Sequence, residues 1–320
     1  MFDSHCHLDF IKRRCETRDF KFEGHDDHEA PKGPKGPKGT FDFSTLKELK
    51  QKLPMEFTKD FKGCIAVWCQ PYTWMVKNYD EMFYNDPDVW YTFGCHPHFA
   101  EDFDASVILA LRRALRHPKV VALGEIGLDY SRKGKNFKIQ DVVFRMQLKL
   151  AMEYKLPICL HIRNADDDGM KIMLEEQVPY DYPIHLHCFT GCWADCQSWI
   201  TRYSKLKVGF TIVRGNEAVL TKIPLDRILL ETDSPYFYPH PGHINRIAAD
   251  IARVKKVRIS DVSRANLKNV AEVYKINLEV SEHLVEINTP EYSNMATPEP
   301  PVCEEYLEEH EGDECRIYVK

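Results

Sequence analysis

Apolar positions along this chain fall into two alternating rhythms. Short runs bounded by turn or acidic residues occur eight times: FDSHCHLDF, CIAVWC, YTFGC, VVALGEIGL, LPICLHI, PIHLHCF, LKVGFTI and DRILLETD. Runs of this length and composition predict strands buried by neighbouring layers. Between them the apolar residues space out to helical periodicity, as in SVILALRRALRH (Val107, Ile108, Leu111, Leu115) and VVFRMQLKLAMEYK (Val142, Val143, Met146, Leu150). Each such stretch predicts a helix with one buried stripe. Strands that alternate with helices pair in parallel through right-handed crossovers. Eight such units over roughly 275 residues predict an α/β fold, a (β/α)8 TIM barrel, whose usual size is about 250 residues. The competing architecture is a doubly wound open sheet, but no glycine-rich dinucleotide loop follows the first strand.

Two segments break the rhythm. APKGPKGPKGT, within residues 30–40, repeats a Pro-Lys-Gly triplet too few times for a triple helix, and its composition denies it helix and sheet alike. It predicts a mobile basic loop after the first strand. Residues 279–320 are Pro-rich and acidic with little to bury, which predicts a disordered tail. The barrel domain is thereby expected to span residues 1–278.

Composition narrows the class. With 320 residues, 43% of them hydrophobic, the chain can bury one large core. It contains no stretch of about 18 uninterrupted apolar residues and no secretory leader pattern, so an intracellular location, nucleus and/or cytoplasm, is expected, with no membrane association. The eleven cysteines are odd in number, and Cys6, Cys64, Cys69, Cys95, Cys159 and Cys188 sit inside apolar runs, where they read as reduced small hydrophobes. Cys192 and Cys196 lack a second pair at zinc-finger spacing. The net charge of −6 is concentrated at the C-terminus, where nine acids face only Arg316 and Lys320 between residues 289 and 320; the remainder carries +1. Charge alone therefore neither demands nor forbids an anionic partner.

The informative feature is what stands where the predicted strands end, the edge at which barrels of this kind carry their chemistry. His5 and His7 close the first strand, His96 and His98 follow the third in GCHPH, and Glu125 and Asp129 stand in GEIGLDY. His161 and Arg163 follow in LHIR, His185 and His187 in IHLHCFTG, and Glu231 and Asp233 in LLETDSPY. Any one of these reads by itself as a hydrogen-bonded core histidine, a capping carboxylate or an ion-pair partner. Together they would place several titratable groups near one point, which costs several kcal/mol for each unpaired buried charge. Divalent cations meet that need. Imidazoles mixed with carboxylates suit zinc, manganese or magnesium, and so many candidate ligands exceed the set that one zinc takes. Two ions holding an activated water point to hydrolysis.

In order and spacing, FDSHCHLDF, GCHPHFA, ALGEIGLDY, LPICLHIR, HLHCFTG and LLETDSPYF resemble the signatures of the TatD deoxyribonucleases, a branch of the metal-dependent hydrolase barrels. The resemblance runs from residue 1 to about residue 275. It implies that His5, His7, Glu125 and Asp233 hold one divalent ion and that Glu125, bridging, holds a second with His161 and His187. It further implies a metal-dependent nuclease of DNA, possibly RNA, of the 3′-to-5′ exonuclease kind, with Asp233 orienting or deprotonating the attacking water. Arg163, whose planar fork matches phosphate geometry, is the candidate phosphate contact. His98, Asp129 and Glu231 are candidates for orienting a ligand or touching the substrate. Two rival readings are a bimetal hydrolase of a small ester, amide or phosphate, and a metal-binding scaffold of weak activity. The chain departs from the common family pattern after ETDSPY, where FYPHPGHINRIAADIARVKK replaces a longer basic segment and brings His240, His243 and Arg246. The Pro-Lys-Gly loop, as a basic arm, is expected to strengthen nucleic-acid binding at low salt.

Overall fold

In the computed structural model, residues 1–11, 45–75, 86–132 and 135–278 are described. Eight strands form one all-parallel sheet in sequence order. They are β1 (Asp3–Cys6), β2 (Cys64–Trp68), β3 (Val89–Phe93), β4 (Val120–Asp129), β5 (Ile158–Arg163), β6 (Ile184–Leu186), β7 (Leu206–Phe210) and β8 (Ile228–Leu230). The intervening helices are α1 (Leu46–Lys52), α2 (Pro71–Trp74), α3 (Ala105–Ala114), α4 (Phe137–Tyr154), α5 (Asp166–Glu175), α6 (Trp193–Arg202), α7 (Glu217–Lys222), α8 (Ile244–Lys255) and α9 (Ile259–Tyr274). The Asp233 amide donates to the His5 carbonyl at 3.0 Å and the His7 amide to the Ser234 carbonyl at 2.7 Å, so the end of β8 returns to β1. The buried Asp3 carboxylate reinforces this seam, accepting from the Thr232 amide at 3.0 Å and hydroxyl at 2.6 Å. The nearly closed barrel agrees with the eight-unit reading of the sequence.

Every residue of β2, β4 and β7 is buried, as expected for strands filled from inside and covered by helices outside. Leu267, Val270 and Val273 of α9 cluster with Phe2, Ile65 and Leu229 across the β1–β8 seam. Trp199 of α6 is buried on the barrel, with its indole N–H donating to Asp166 at 2.8 Å. The described cysteines, Cys192 and Cys196 included, are free thiols, and all but Cys192 are buried. The sequence expectations for residues 30–40 and 279–320 lie outside the described residues.

Two expectations are corrected. On α3 the predicted stripe holds for Val107, Leu111 and Leu115, with Ile108 only partly covered. On α4, Val142 (55% exposed) and Met146 (37%) face solvent instead of the barrel. The buried face there is Gln140, Val143, Phe144, Gln147, Leu148, Leu150 and Ala151. The two glutamines earn that place through their amides. Gln147 accepts from the Cys95 N–H at 2.7 Å and donates to its carbonyl at 3.0 Å, and Gln140 does the same for Asp129 at 2.8 and 3.2 Å. They satisfy the main chain where β3 and β4 run out of ladder partners, a role that hydrophobic periodicity cannot register.

The second correction concerns strand length. β1 stops at Cys6 and residues 8–11 turn helical, so His7, Leu8, Asp9 and Phe10 of the predicted run FDSHCHLDF lie beyond the strand. β6 and β8 are also shorter than their apolar runs. Past their ends the backbone enters the left-handed region at Cys188 (φ 43°) and Asp233 (φ 48°), conformations uncommon for residues with a side chain and concentrated at functional sites.

Candidate metal centre

At the C-terminal edge of the barrel these short strands bring their polar ends together. His5 lies on β1 and His7 just beyond it; Glu125 and Asp129 lie on β4 and His161 on β5; His187 follows β6, and Glu231 and Asp233 follow β8. All are buried. Close approach of the strands depends on missing side chains. A Cβ on Gly127, which has φ 149°, would come within 1.9 Å of the His161 carbonyl. One on Gly209 would stand 2.4 Å from His185 Nε2 and 2.5 Å from Glu231 Oε2.

Glu125 occupies the middle, and its two oxygens face different imidazoles. Oε1 lies 2.5 Å from His161 Nδ1 and 3.4 Å from His187 Nε2, whereas Oε2 lies 3.6 Å from His5 Nε2 and 4.0 Å from His7 Nε2. Asp233 closes the second side, with Oδ1 at 3.2 Å from His7 Nε2 and 3.6 Å from His5 Nε2. His5 and His7 approach each other at 3.3 Å through their Nε2 atoms. Two compact donor sets result, His5–His7–Glu125 and Glu125–His161–His187, each within 4.8 Å.

The outward-facing nitrogens fix which lone pairs point inward. His7 Nδ1 lies 3.0 Å from the Val67 carbonyl, to which it can only donate, so Nε2 is the nitrogen turned toward the centre. His187 Nδ1 is held by Glu231 Oε2 at 3.2 Å, again freeing Nε2. Glu231 in turn accepts from the Cys188 amide at 2.5 Å and from Thr211 at 3.0 Å, and lies 2.9 Å from His185 Nε2. Asp129 Oδ2 sits between His161 Nε2 at 3.1 Å and His98 Nε2 at 2.8 Å.

Charge follows the same plan. Burial opposes ionisation of Glu125, yet the imidazoles of His187, His161 and His96 outweigh it and hold the carboxyl well below its ordinary range. Burial likewise opposes Glu231 and Asp129, which their histidine neighbours keep low. Burial and the adjacent His187 depress His5 far below the usual histidine value. At His7 burial also acts downward, but the Asp233 contact prevails and the pKa rises to about 9. The cluster thus crowds buried carboxylates and imidazoles around one point, with Asp233 Oδ1 making no aligned hydrogen bond. That combination fits a divalent cation and is expensive without one.

The comparisons with known proteins decide the family. A family model described as TatD related DNase matches residues 2–275. The chain belongs to the TatD-related DNase family. It is 36% identical over 293 residues to the human 3'-5' RNA nuclease TATDN2, covering 86% of this chain and 35% of that protein. It is 40% identical over 157 residues to the 3'-5' ssDNA/RNA exonuclease TatD of Erwinia amylovora, covering 47% of this chain and 60% of the relative. With a metal-dependent hydrolase of Bacillus subtilis, YabD, it shares 31% over 215 residues, 63% of this chain and 81% of that one. The chain therefore spans about a third of the human relative and three fifths of the Erwinia one. Among solved structures the TatD homologue YJJV of Escherichia coli superposes with a TM-score of 0.66 at 23% identity, over 87% of this chain and 98% of that chain, a likeness of fold.

Within this cluster the sequence-predicted residues divide. His5, His7, Glu125, His161, His187 and Asp233 converge, and His98, Asp129 and Glu231 stand directly behind them. Arg163 lies at the rim, half-buried, where its guanidinium donates to the Ile162 carbonyl at 3.2 Å and no carboxylate of the described residues comes within ion-pair reach. His96 is placed more centrally than its partner His98 suggested. Its Nε2 is 3.7 Å from Glu125 Oε1, while its Nδ1 accepts the His98 amide at 3.0 Å. Its position two residues before His98 in GCHPH, mirroring His5 and His7, was the available signal. Tyr236, which packs edge-on against His7 with centroids 5.2 Å apart, carried none. Among the described residues no helix is long and apolar enough to cross a membrane.

Proposed function

We propose that this chain is a metal-dependent phosphodiesterase of single-stranded nucleic acid that releases nucleotides from the 3′ end, using two divalent ions, magnesium, zinc or manganese. The observation that carries the proposal is the placement of Glu125, a single buried carboxylate whose two oxygens address two separate imidazole pairs. His5, His7, Glu125 and Asp233 would hold one ion, and Glu125, His161 and His187 the other. When bound, such ions polarise phosphate oxygens and acidify water. The nuclease activities of the human and Erwinia relatives support RNA and single-stranded DNA as the polymers to test.

This chain's own groups divide the remaining work. The Asp233 carboxylate, with one oxygen free of aligned hydrogen bonds, orients the attacking water and takes its proton. Water oxygen bonds to phosphorus as the bond to the leaving ribose oxygen breaks, and that oxygen departs with the bonding pair and takes a proton from solvent water. Arg163 reaches from the rim to a non-bridging phosphate oxygen, where its fork matches the phosphate better than an ammonium would. Glu231 and Asp129 hold His187 and His161 in the ring orientation and tautomer the ions require. The His96 Nδ1 atom is occupied as an acceptor, so its Nε2–H is available as a donor toward Glu125 or a substrate oxygen.

The test is incubation of the purified chain with end-labelled single- and double-stranded DNA and RNA in magnesium, manganese or zinc. Progressive shortening from the 3′ end supports the proposal. Turnover of a small phosphate or carboxylic ester with both polymers left intact would overturn the substrate assignment while sparing the metal chemistry. Intact polymers and intact esters together would leave a metal-binding scaffold.

A further inference from the structure

A second histidine–carboxylate cluster stands apart from the centre described above. After β8 the chain runs through Tyr238, His240, Pro241, Gly242 and His243 into α8, and it meets Glu56 from the segment between α1 and β2. Ligating atoms of Glu56, His240 and His243 all lie within 4.8 Å of one another. His243 Nε2 is 3.6 Å from Glu56 Oε2. That is close to the ~3.3 Å edge of a tetrahedron built on zinc–ligand bonds of about 2.0–2.1 Å. The two imidazoles cross edge-to-face with centroids 4.6 Å apart.

The surroundings are those of an unfinished polar site. His240 is 5% exposed and His243 9%, yet the Nδ1 atom of each has no hydrogen-bond partner. A buried imidazole with an idle nitrogen costs stability unless something else engages it. The His240 ring stacks on Phe57 at 5.4 Å, which gives the cluster an apolar wall. Burial, helped by the neighbouring His243 and Arg246, pushes His240 down to about 3; burial and Arg246 push His243 to about 4. Both rings are neutral at physiological pH and keep a lone pair for a ligand role. Gly242 makes the approach possible, since a Cβ there would come within 2.8 Å of the Glu56 carbonyl and 3.0 Å of His240 Nδ1. Working against a cation are the Arg246 charge, which is exposed and screened, and the positive end of α8. The Glu56 carboxylate is the group that offsets them.

We propose that Glu56, His240 and His243 form a separate binding site for one borderline divalent cation, zinc by preference, that clamps the segment following Asp233 to the segment preceding β2. Two neutral imidazoles and one carboxylate are a zinc donor set, with the fourth position left to water. The clamp bears on the main centre through the same segment, because Tyr236, three residues past Asp233, packs against His7.

The experiment titrates zinc into the chelator-stripped chain in competition with a zinc-binding dye. It compares the unaltered protein with Glu56→Gln and with the double variant His240→Asn/His243→Asn, each in an otherwise native and in a Glu125→Gln background. Glu56 is surface-accessible, so its substitution keeps the test valid should the double variant fold poorly. The proposal expects one zinc equivalent that weakens at least tenfold in Glu56→Gln and disappears in the double variant, in both backgrounds. Titrations that superimpose for the unaltered chain and Glu56→Gln would overturn it, as would a difference that vanishes in the Glu125→Gln background.

Discussion

The two histidine–carboxylate clusters of this barrel are built from the same side chains by opposite means. The centre at the strand ends draws its groups from β1, β4 and β5 and from the turns after β6 and β8, buries all of them, and backs His7, His161 and His187 with further acceptors. The outer cluster takes two histidines from one turn and an exposed carboxylate from a distant segment, and its Nδ1 atoms have no such backing. Ligands held by several rigid strands with oriented tautomers suit catalysis, where small displacements cost rate. Ligands held by one turn and one flexible carboxylate suit a clamp.

Substitutions in the inner centre should therefore act on turnover, and the largest effect is expected at its shared carboxylate. Glu125→Ala should lower kcat about a thousandfold or more, the scale of several kcal/mol of lost stabilisation at about 1.4 kcal/mol per tenfold, with circular dichroism unchanged. Near-normal turnover would mean the two donor sets do not act as one centre. Glu231→Gln comes next. It puts an amide where two imidazoles now find a carboxylate, and loss of such backing typically costs about ten- to a hundredfold in metal affinity or activity. Metal titration alongside kinetics separates those two readouts.

Smaller effects belong to the rim and the outer cluster. Arg163→Ala should raise KM about tenfold with kcat less affected, the size of one lost charge-assisted hydrogen bond to phosphate; an unchanged KM would remove Arg163 from the substrate path. Smallest of all, Glu56→Gln should reduce the zinc-induced rise in the unfolding midpoint by a few degrees. Should the outer substitution prove the more damaging to turnover, the contrast between the two clusters would be wrong.

Legibility in the sequence followed the same division. The barrel could be read because each strand is a short apolar run and each run ends in groups that an apolar core does not explain. The six converging side chains were legible for the same reason, each standing at a strand end within a family signature. The buried face of α4 was misread because Gln140 and Gln147 belong to the core through hydrogen bonds to Asp129 and Cys95, not through hydrophobicity. Glu56 was invisible, since its neighbourhood with His240 and His243 arises only when the chain after β8 folds back over the segment before β2. His240 and His243 were noticed only as a departure from the family pattern.

The central claim is that Glu125 joins two ion sites into one hydrolytic centre. Its most direct test strips the chain with chelator, adds manganese or zinc in measured equivalents, and follows labelled single-stranded RNA and DNA by gel. The account predicts no cleavage in chelator, and 3′-end shortening that reaches full rate only after both sites of the centre are filled. Cleavage that persists in chelator, or saturates with a single ion bound in the Glu125 centre, would contradict it.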